Sequence, residues 1–219
     1  MKKVLILVEG QTEEAFVKRV LAIHLVPYDI LVNPIILTTK IVVNGPDSKG
    51  GSVSYRKVKR EVQRLLGDTS THLVTTMLDF YGLKNDFPMR DNSTGNPHEK
   101  VSRVEAAFNH DIDNPRFFSY FSLHEFEGLL FSSPSDIARI FNEPVKESIL
   151  RRIRNSFPTP EDINDNPGTT PSKRICKEFP HYEKVFHGTA IASNIRLDMI
   201  RGECPHFNEW LTRIERLSA

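Results

Sequence analysis

The sequence has only two cysteines, Cys176 and Cys204, too few for a disulfide framework and in keeping with a reducing compartment. It also lacks any apolar run near the roughly 18 residues that cross a membrane. The N-terminal apolar run is short and leads straight into acidic residues, unlike a signal peptide, so a cytoplasmic protein is expected. Net charge is nearly absent: 29 Lys and Arg against 28 Asp and Glu leave +1. A protein that grips a long duplex alone carries a larger basic excess, so any nucleic-acid contact here must be local or shared with a partner. There is no Gly-x-Ser-x-Gly elbow of a nucleophilic hydrolase. There is no P-loop either: in the stretch NGPDSKGG, Lys49 precedes Gly50 and Gly51 instead of following them. Those three residues stay as a weak candidate contact for a substrate phosphate, although the composition favours a surface turn. Cys176, His181, His187, Cys204 and His206 are spaced like no familiar zinc motif; Cys204 and His206, flanking Pro205, instead fit the start of the last helix.

What is present begins at residues 3–14, KVLILVEGQTEE. Val4 to Val8 show no polar alternation, which suits a central strand covered on both faces, and the run ends at Glu9. Gly10 permits a tight turn, Thr12 is a candidate N-cap, and a helix is expected over 13–24, with Phe16, Val17, Val20 and Leu21 inward. Glu13 and Glu14 would sit in its first turn, where the helix dipole alone favours acids. Glu9 is different, because a carboxylate closing an apolar run is desolvated at a cost of several kcal/mol unless paired or bound to metal.

The same pattern recurs along the chain. Residues 31–43 read as one or two strands interrupted near Pro34, 53–66 as an amphipathic helix, and 72–79 as a strand ending in Asp79. Residues 98–109 read as a helix, and 116–123 as a third buried strand ending in His124, Glu125, Phe126 and Glu127. Right-handed crossovers would bring all three strand ends to one edge of a mostly parallel sheet. After 133 only helical patterns remain, at 135–141, 145–154, 173–179, 189–201 and 206–217, around a loop at 157–172. The expected architecture is therefore an α/β domain over 1–133 and a helical extension over 134–219 packed on it, unless the two form a single domain.

Several carboxylates at strand ends share a small site only if protons or a cation neutralise them. Mg²⁺ or Mn²⁺ suits such oxygen ligands and can bridge them to phosphate oxygens. His124 could orient a water or phosphate, or serve only as a structural hydrogen-bonding group. In HEFE, Glu125 and Glu127 would share a face on a strand and diverge on a helix, so only one is expected to face the site, with Glu125 slightly preferred. Lys173 and Arg174, after a Pro-rich loop, could meet a scissile phosphate or the acids, or form a solvated helix start.

The series LVEGQTEE and then MLDFYG resembles the Toprim domain of topoisomerases, primases and OLD-family nucleases. With HEFEGLLF, TTPSKRI and CPHFNEWL in order, nearly the whole chain is similar to the Toprim-related family labelled domain of unknown function 4276. The resemblance implies a Toprim-like sheet and a Mg²⁺- or Mn²⁺-dependent nuclease. Glu9 would act in acid/base chemistry or near the metal, Glu13 would match the second carboxylate of the nuclease pattern, and Asp79 the first aspartate of an Asp-x-Asp pair. The second aspartate position holds Tyr81, so Glu125 or Glu127, or more remotely Asp86, would replace it, or the metal site is weaker. The alternative is a catalytically silent module that binds metal or ligand and regulates a partner. The resemblance also implies a separate AAA or ABC-type ATPase partner, in a phage or mobile-element defence system.

Overall fold

The computed structural model describes residues 1–37, 53–91, 94–164 and 168–218. Four segments of chain build one sheet: β1 (Lys2–Val8), β2 (Ile30–Ile36), β3 (Thr71–Asp79) and a third crossover strand in two pieces, β4 (Phe117–Phe118) and β5 (Phe121–Ser122). The order is β2-β1-β3-β4, β5 also pairs with β3, and every pairing is parallel. This is the expected α/β architecture, a parallel sheet flanked by helices. β1 and β3 lie in the middle, covered on both faces; β1 therefore reads as an unbroken apolar run, and β3 as an apolar run broken by Thr75 and Thr76, whose hydroxyls are hydrogen-bonded.

The two faces of β1 feed different cores. Val4, Ile6 and Val8 pack with Phe16, Leu21 and Leu25 of the first helix and with the C-terminal helices, whereas Leu5 and Leu7 pack with Val58, Val62, Val101 and Val104. Those last residues belong to α2 (Tyr55–Leu66) and α3 (Pro97–Ile112). The first helix, α1, starts as Gln11–Phe16, passes a π turn over Val17–Leu21, and ends as Ala22–Leu25. Its N-cap is Gly10 and not Thr12: the Glu13 carboxylate, three residues on, reaches back and accepts the Gly10 N–H at 3.0 Å.

Pro34 does not interrupt β2. An edge strand has one row of amides outside the ladder, so a residue lacking an N–H is tolerated there. The third strand is broken where one continuous strand over 116–123 was expected, because side chains take the ladder's place. Thr76 Oγ1 accepts the Tyr120 N–H at 2.9 Å and donates to the Tyr120 carbonyl at 2.8 Å; Asn109 Oδ1 accepts the Ser119 N–H at 2.7 Å, and Glu105 Oε1 the Phe121 N–H at 2.8 Å.

The later helices are α4 (Pro134–Ile140), α5 (Glu147–Asn155), α6 (Pro171–Glu178), α7 (Thr189–Asn194), α8 (Leu197–Glu203) and α9 (Pro205–Glu215). The helix expected over 189–201 is thus two, separated at Ile195 and Arg196, both of extended backbone. Trp210 of α9 stacks on Tyr120 at 4.7 Å and donates its indole N–H to Thr75 Oγ1 at 3.0 Å, reaching the middle of β3. Buried Glu161 takes the His206 and Phe207 amides at 3.0 and 2.9 Å, holding the start of α9. No helix among the described residues is long and apolar enough to cross a membrane.

Candidate functional site

The parallel strands put three chain ends on one edge of the sheet. β1 delivers Glu9, β3 ends in Asp79, and the chain beyond β5 reaches His124 and Glu125. The Asp79 N–H donates to Glu9 Oε2 at 3.3 Å, tying the first two ends together. A Cβ on Gly82 would stand 3.3 Å from the same oxygen, so any larger residue would press on the Glu9 carboxylate and shift it by a few tenths of an ångström.

Glu125 and Glu127 follow neither of the simple alternatives. Glu125 is still extended, and Phe126–Ser132 is a 3₁₀ helix, so the chain changes geometry between the two carboxylates. Both face the cluster. Glu125 Oε2 accepts the Ser172 N–H at 3.0 Å, at the start of α6, while buried Glu127 lies within 3.2 Å of Lys184 Nζ and accepts from the Tyr182 hydroxyl at 3.4 Å.

Burial and mutual repulsion push Glu9, Glu13, Asp79 and Glu127 toward the protonated state. The Asp79 carboxyl is held well above its ordinary value by burial first, then by the charges of Glu13, Glu9, Glu127 and Glu125. Its Oδ1 is closed off from solvent and accepts no hydrogen bond among the described residues. Burial likewise raises Glu9, against the Asp79 N–H and Lys184, which lower it. Burial raises Glu13, opposed by backbone hydrogen bonds, and raises Glu127, opposed chiefly by Lys184. Burial works against the Lys184 charge in turn, but the charges of Glu127, Glu125 and Asp79 outweigh it, and the amine is pushed up to about 12. Lys184 therefore remains a cation throughout the physiological range.

Among the described residues no three His, Cys, Asp or Glu side chains converge as a closed metal cage. The donors nonetheless fit Mg²⁺ or Mn²⁺. They are all carboxylate oxygens, Asp79 Oδ1 is enclosed with no partner, and such ions are held by one or two carboxylates together with waters and substrate phosphate. Glu9 and Asp79 are the residues that would hold one, with Glu125 next to them.

Other candidates go elsewhere. Arg174 Nε donates to the Thr169 carbonyl at 2.7 Å and its guanidinium covers Phe157, away from the acids, and Lys173 is exposed on α6. The cation beside the cluster is Lys184, which sequence reasoning missed because it stands on a π turn, Lys184–Gly188, in a stretch with no periodicity. Asp86 caps α2, accepting the Tyr55 N–H at 3.0 Å. His124 is buried with its ring 6.3 Å from that of Tyr81, which is itself 47% exposed. Cys204 is buried with Sγ 3.4 Å from Ser132 Oγ, and His206 pairs with Glu105 at 3.0 Å, as parts of the α9 packing. Lys49, Gly50 and Gly51 lie outside the described residues.

A parallel sheet flanked by helices, with carboxylates gathered at its C-terminal edge, defines the chain as an α/β protein with its candidate site beyond the strand ends. The chain belongs to the family described as domain of unknown function (DUF4276), whose model matches residues 8–215. No curated protein matches it. Among solved structures it is similar to the C-terminal region of the Burkholderia pseudomallei OLD protein, at 19% identity, TM-score 0.47 and 100% coverage of both chains. It is also similar to the C-terminal region of the Xanthomonas campestris pv. campestris OLD protein, at 16% identity, TM-score 0.40 and 97% coverage of both.

Proposed function

We propose that this chain is a Mg²⁺- or Mn²⁺-dependent phosphodiesterase acting on nucleic acid. The observation that carries the reading is Asp79: an enclosed, unpartnered oxygen under the combined repulsion of four other carboxylates, which a divalent cation would relieve. When bound, the cation supplies charge neutralisation at a phosphate and a more acidic water. Glu9, raised toward neutrality and fixed by the Asp79 amide, is placed to take a proton from the attacking water. Glu13 is committed to the Gly10 amide and positions the turn that carries Glu9. Lys184, always charged, holds Glu127 and presents an ammonium to an incoming phosphate. Arg174, turned to the Thr169 carbonyl and Phe157, has no part in this arrangement.

One observation favours a second reading. Tyr81 stands where the Toprim resemblance calls for an aspartate, and Lys184 already offsets part of the acidic charge, as in a silent ligand-binding module. Calorimetric titration with Mn²⁺, beside cleavage assays on single-stranded DNA, duplex DNA and RNA with and without excess chelator, separates the two. Mn²⁺ binding and chelator-sensitive cleavage are expected. Binding without turnover on any substrate would establish the silent module instead.

The near-neutral charge supports a further part of the proposal: a separate AAA or ABC-type ATPase holds the nucleic acid and works with this chain, within a phage or mobile-element defence system. Co-purification with the product of a neighbouring ATPase gene and ATP-dependent stimulation of cleavage are expected. Tight duplex binding at physiological salt and full-rate cleavage by the isolated chain would refute it.

A further inference from the structure

All Phe, Tyr and Trp residues of this chain lie among the described residues, and only two of them are exposed: Tyr81 at 47% and Phe186 at 68%. Both follow a side chain of the candidate site by two residues. Tyr81 follows Asp79 by two residues and immediately precedes Gly82, whose backbone lies against Glu9; Phe186 follows Lys184 by two. Phe186 also lines a groove of about 430 Å³ with Ala15, Arg19, Glu183, Lys184 and Val185, between the π turn of Lys184–Gly188 and the face of α1. Each ring is braced by a histidine, Phe186 edge-on to His187 at 5.0 Å and Tyr81 near His124 at 6.3 Å.

We infer that Tyr81 and Phe186 are base-stacking platforms on either side of the carboxylate cluster, and that the substrate is a single-stranded polynucleotide. The inference rests on the phosphodiesterase reading for the word substrate, but the platforms stand on their own geometry. Bases in a duplex are already stacked on one another and cannot lie on a side chain, whereas unpaired bases present their faces. The charge argument runs the same way. A duplex is held by many phosphate contacts, which a net charge of +1 does not provide, while stacking supplies affinity that needs no basic excess. Lys184 and Arg19 give the groove two cations for the few phosphates between the stacked bases and the acids. Tyr81 in place of an aspartate then has a positive role: it puts a ring where a carboxylate would have stood.

The test is fluorescence anisotropy in excess chelator, where nothing is cleaved, with fluorescein-labelled (dT)12, (rU)12 and a 12-base-pair duplex. Wild type should bind the single strands more tightly than the duplex, and the two single-stranded arms decide between DNA and RNA. Tyr81→Ala and Phe186→Ala should each weaken single-strand binding about 5- to 100-fold. Tyr81→Phe should restore it, with Mn²⁺ affinity and melting temperature unchanged in all three variants. Equal or tighter duplex binding by wild type, or alanine variants that bind both single strands as wild type does, overturns the inference. Ring-dependent binding by a protein that shows no cleavage removes the phosphodiesterase and leaves the platforms standing.

Discussion

Asp79→Asn is expected to lower metal-dependent cleavage by about 100-fold or more, since even outer-shell partners of a metal contribute 10- to 100-fold, and to raise the melting temperature of the metal-free protein. The two effects have one cause. The amide would keep the shape of the side chain while removing a charge that four neighbouring carboxylates oppose. The unfolded Asp79 titrates near 3.8 and the folded one well above it. A group with a raised folded pKa contributes stability that is complete below the unfolded value and is lost as pH rises through the folded one. The gap in melting temperature between variant and wild type should therefore close toward pH 4 and open toward neutrality. Relieving on the order of 1 kcal/mol corresponds to about 2–4 °C for a chain of this size. Saturating Mn²⁺ should close the gap from the other side by stabilising wild type alone, by about 2.7 kcal/mol at a hundred times Kd. Glu9→Gln should lose cleavage in the same way. Thermal melts over pH 4–8 with and without Mn²⁺, together with cleavage rates, decide the matter; an Asp79→Asn protein that cleaves normally would falsify the site.

The second large effect belongs to Trp210. Its ring is stacked on Tyr120, tilted against Phe207 at 5.7 Å, and hydrogen-bonded to the centre of β3. Trp210→Ala should cost about 3–5 kcal/mol, through lost burial, the cavity left behind and an unpartnered Thr75 hydroxyl. Because one core contains Ile6, Phe16, Met77, Leu130, Ile191, Trp210 and Ile214, the proposal is that sheet and C-terminal helices unfold together. Calorimetry should then give a single transition for wild type and variant alike. Two transitions, only the upper of them insensitive to the substitution, would mean that 134–219 is a separate folding unit.

The parts of the fold legible in sequence were those where one rule acts without a rival. β1 is apolar on both faces and β3 is apolar but for its threonines and His72, so the runs mark them, and the charges ending those runs mark Glu9 and Asp79. The break in the third strand was hidden, because nothing local tells that Thr76, Asn109 and Glu105 supply the missing hydrogen bonds from other elements. Lys184 was hidden for a related reason. Its partner is 57 residues away, and the turn that presents it follows neither a period of 3.6 nor of 2. The Thr12 expectation failed because the helix begins earlier: Gln11 is already helical, and Glu13 reaches back to the amide of Gly10, fixing the N-cap there.

The π turn in α1 bears on how this sequence can drift. A residue inserted into an ordinary helix turns everything after it by about 100° and would strip one buried face. Here the helix already contains such a widened turn, and residues before, within and after it are buried: Thr12, Glu13 and Phe16 before, Val17 and Leu21 within, Leu25 after. The front of the helix is thereby phased to the carboxylate edge and the rear to the sheet, as two registers joined by a slack link. Substitutions that repack Leu21 or Leu25 can be absorbed within the widened turn, without rotating the turn that holds Glu9.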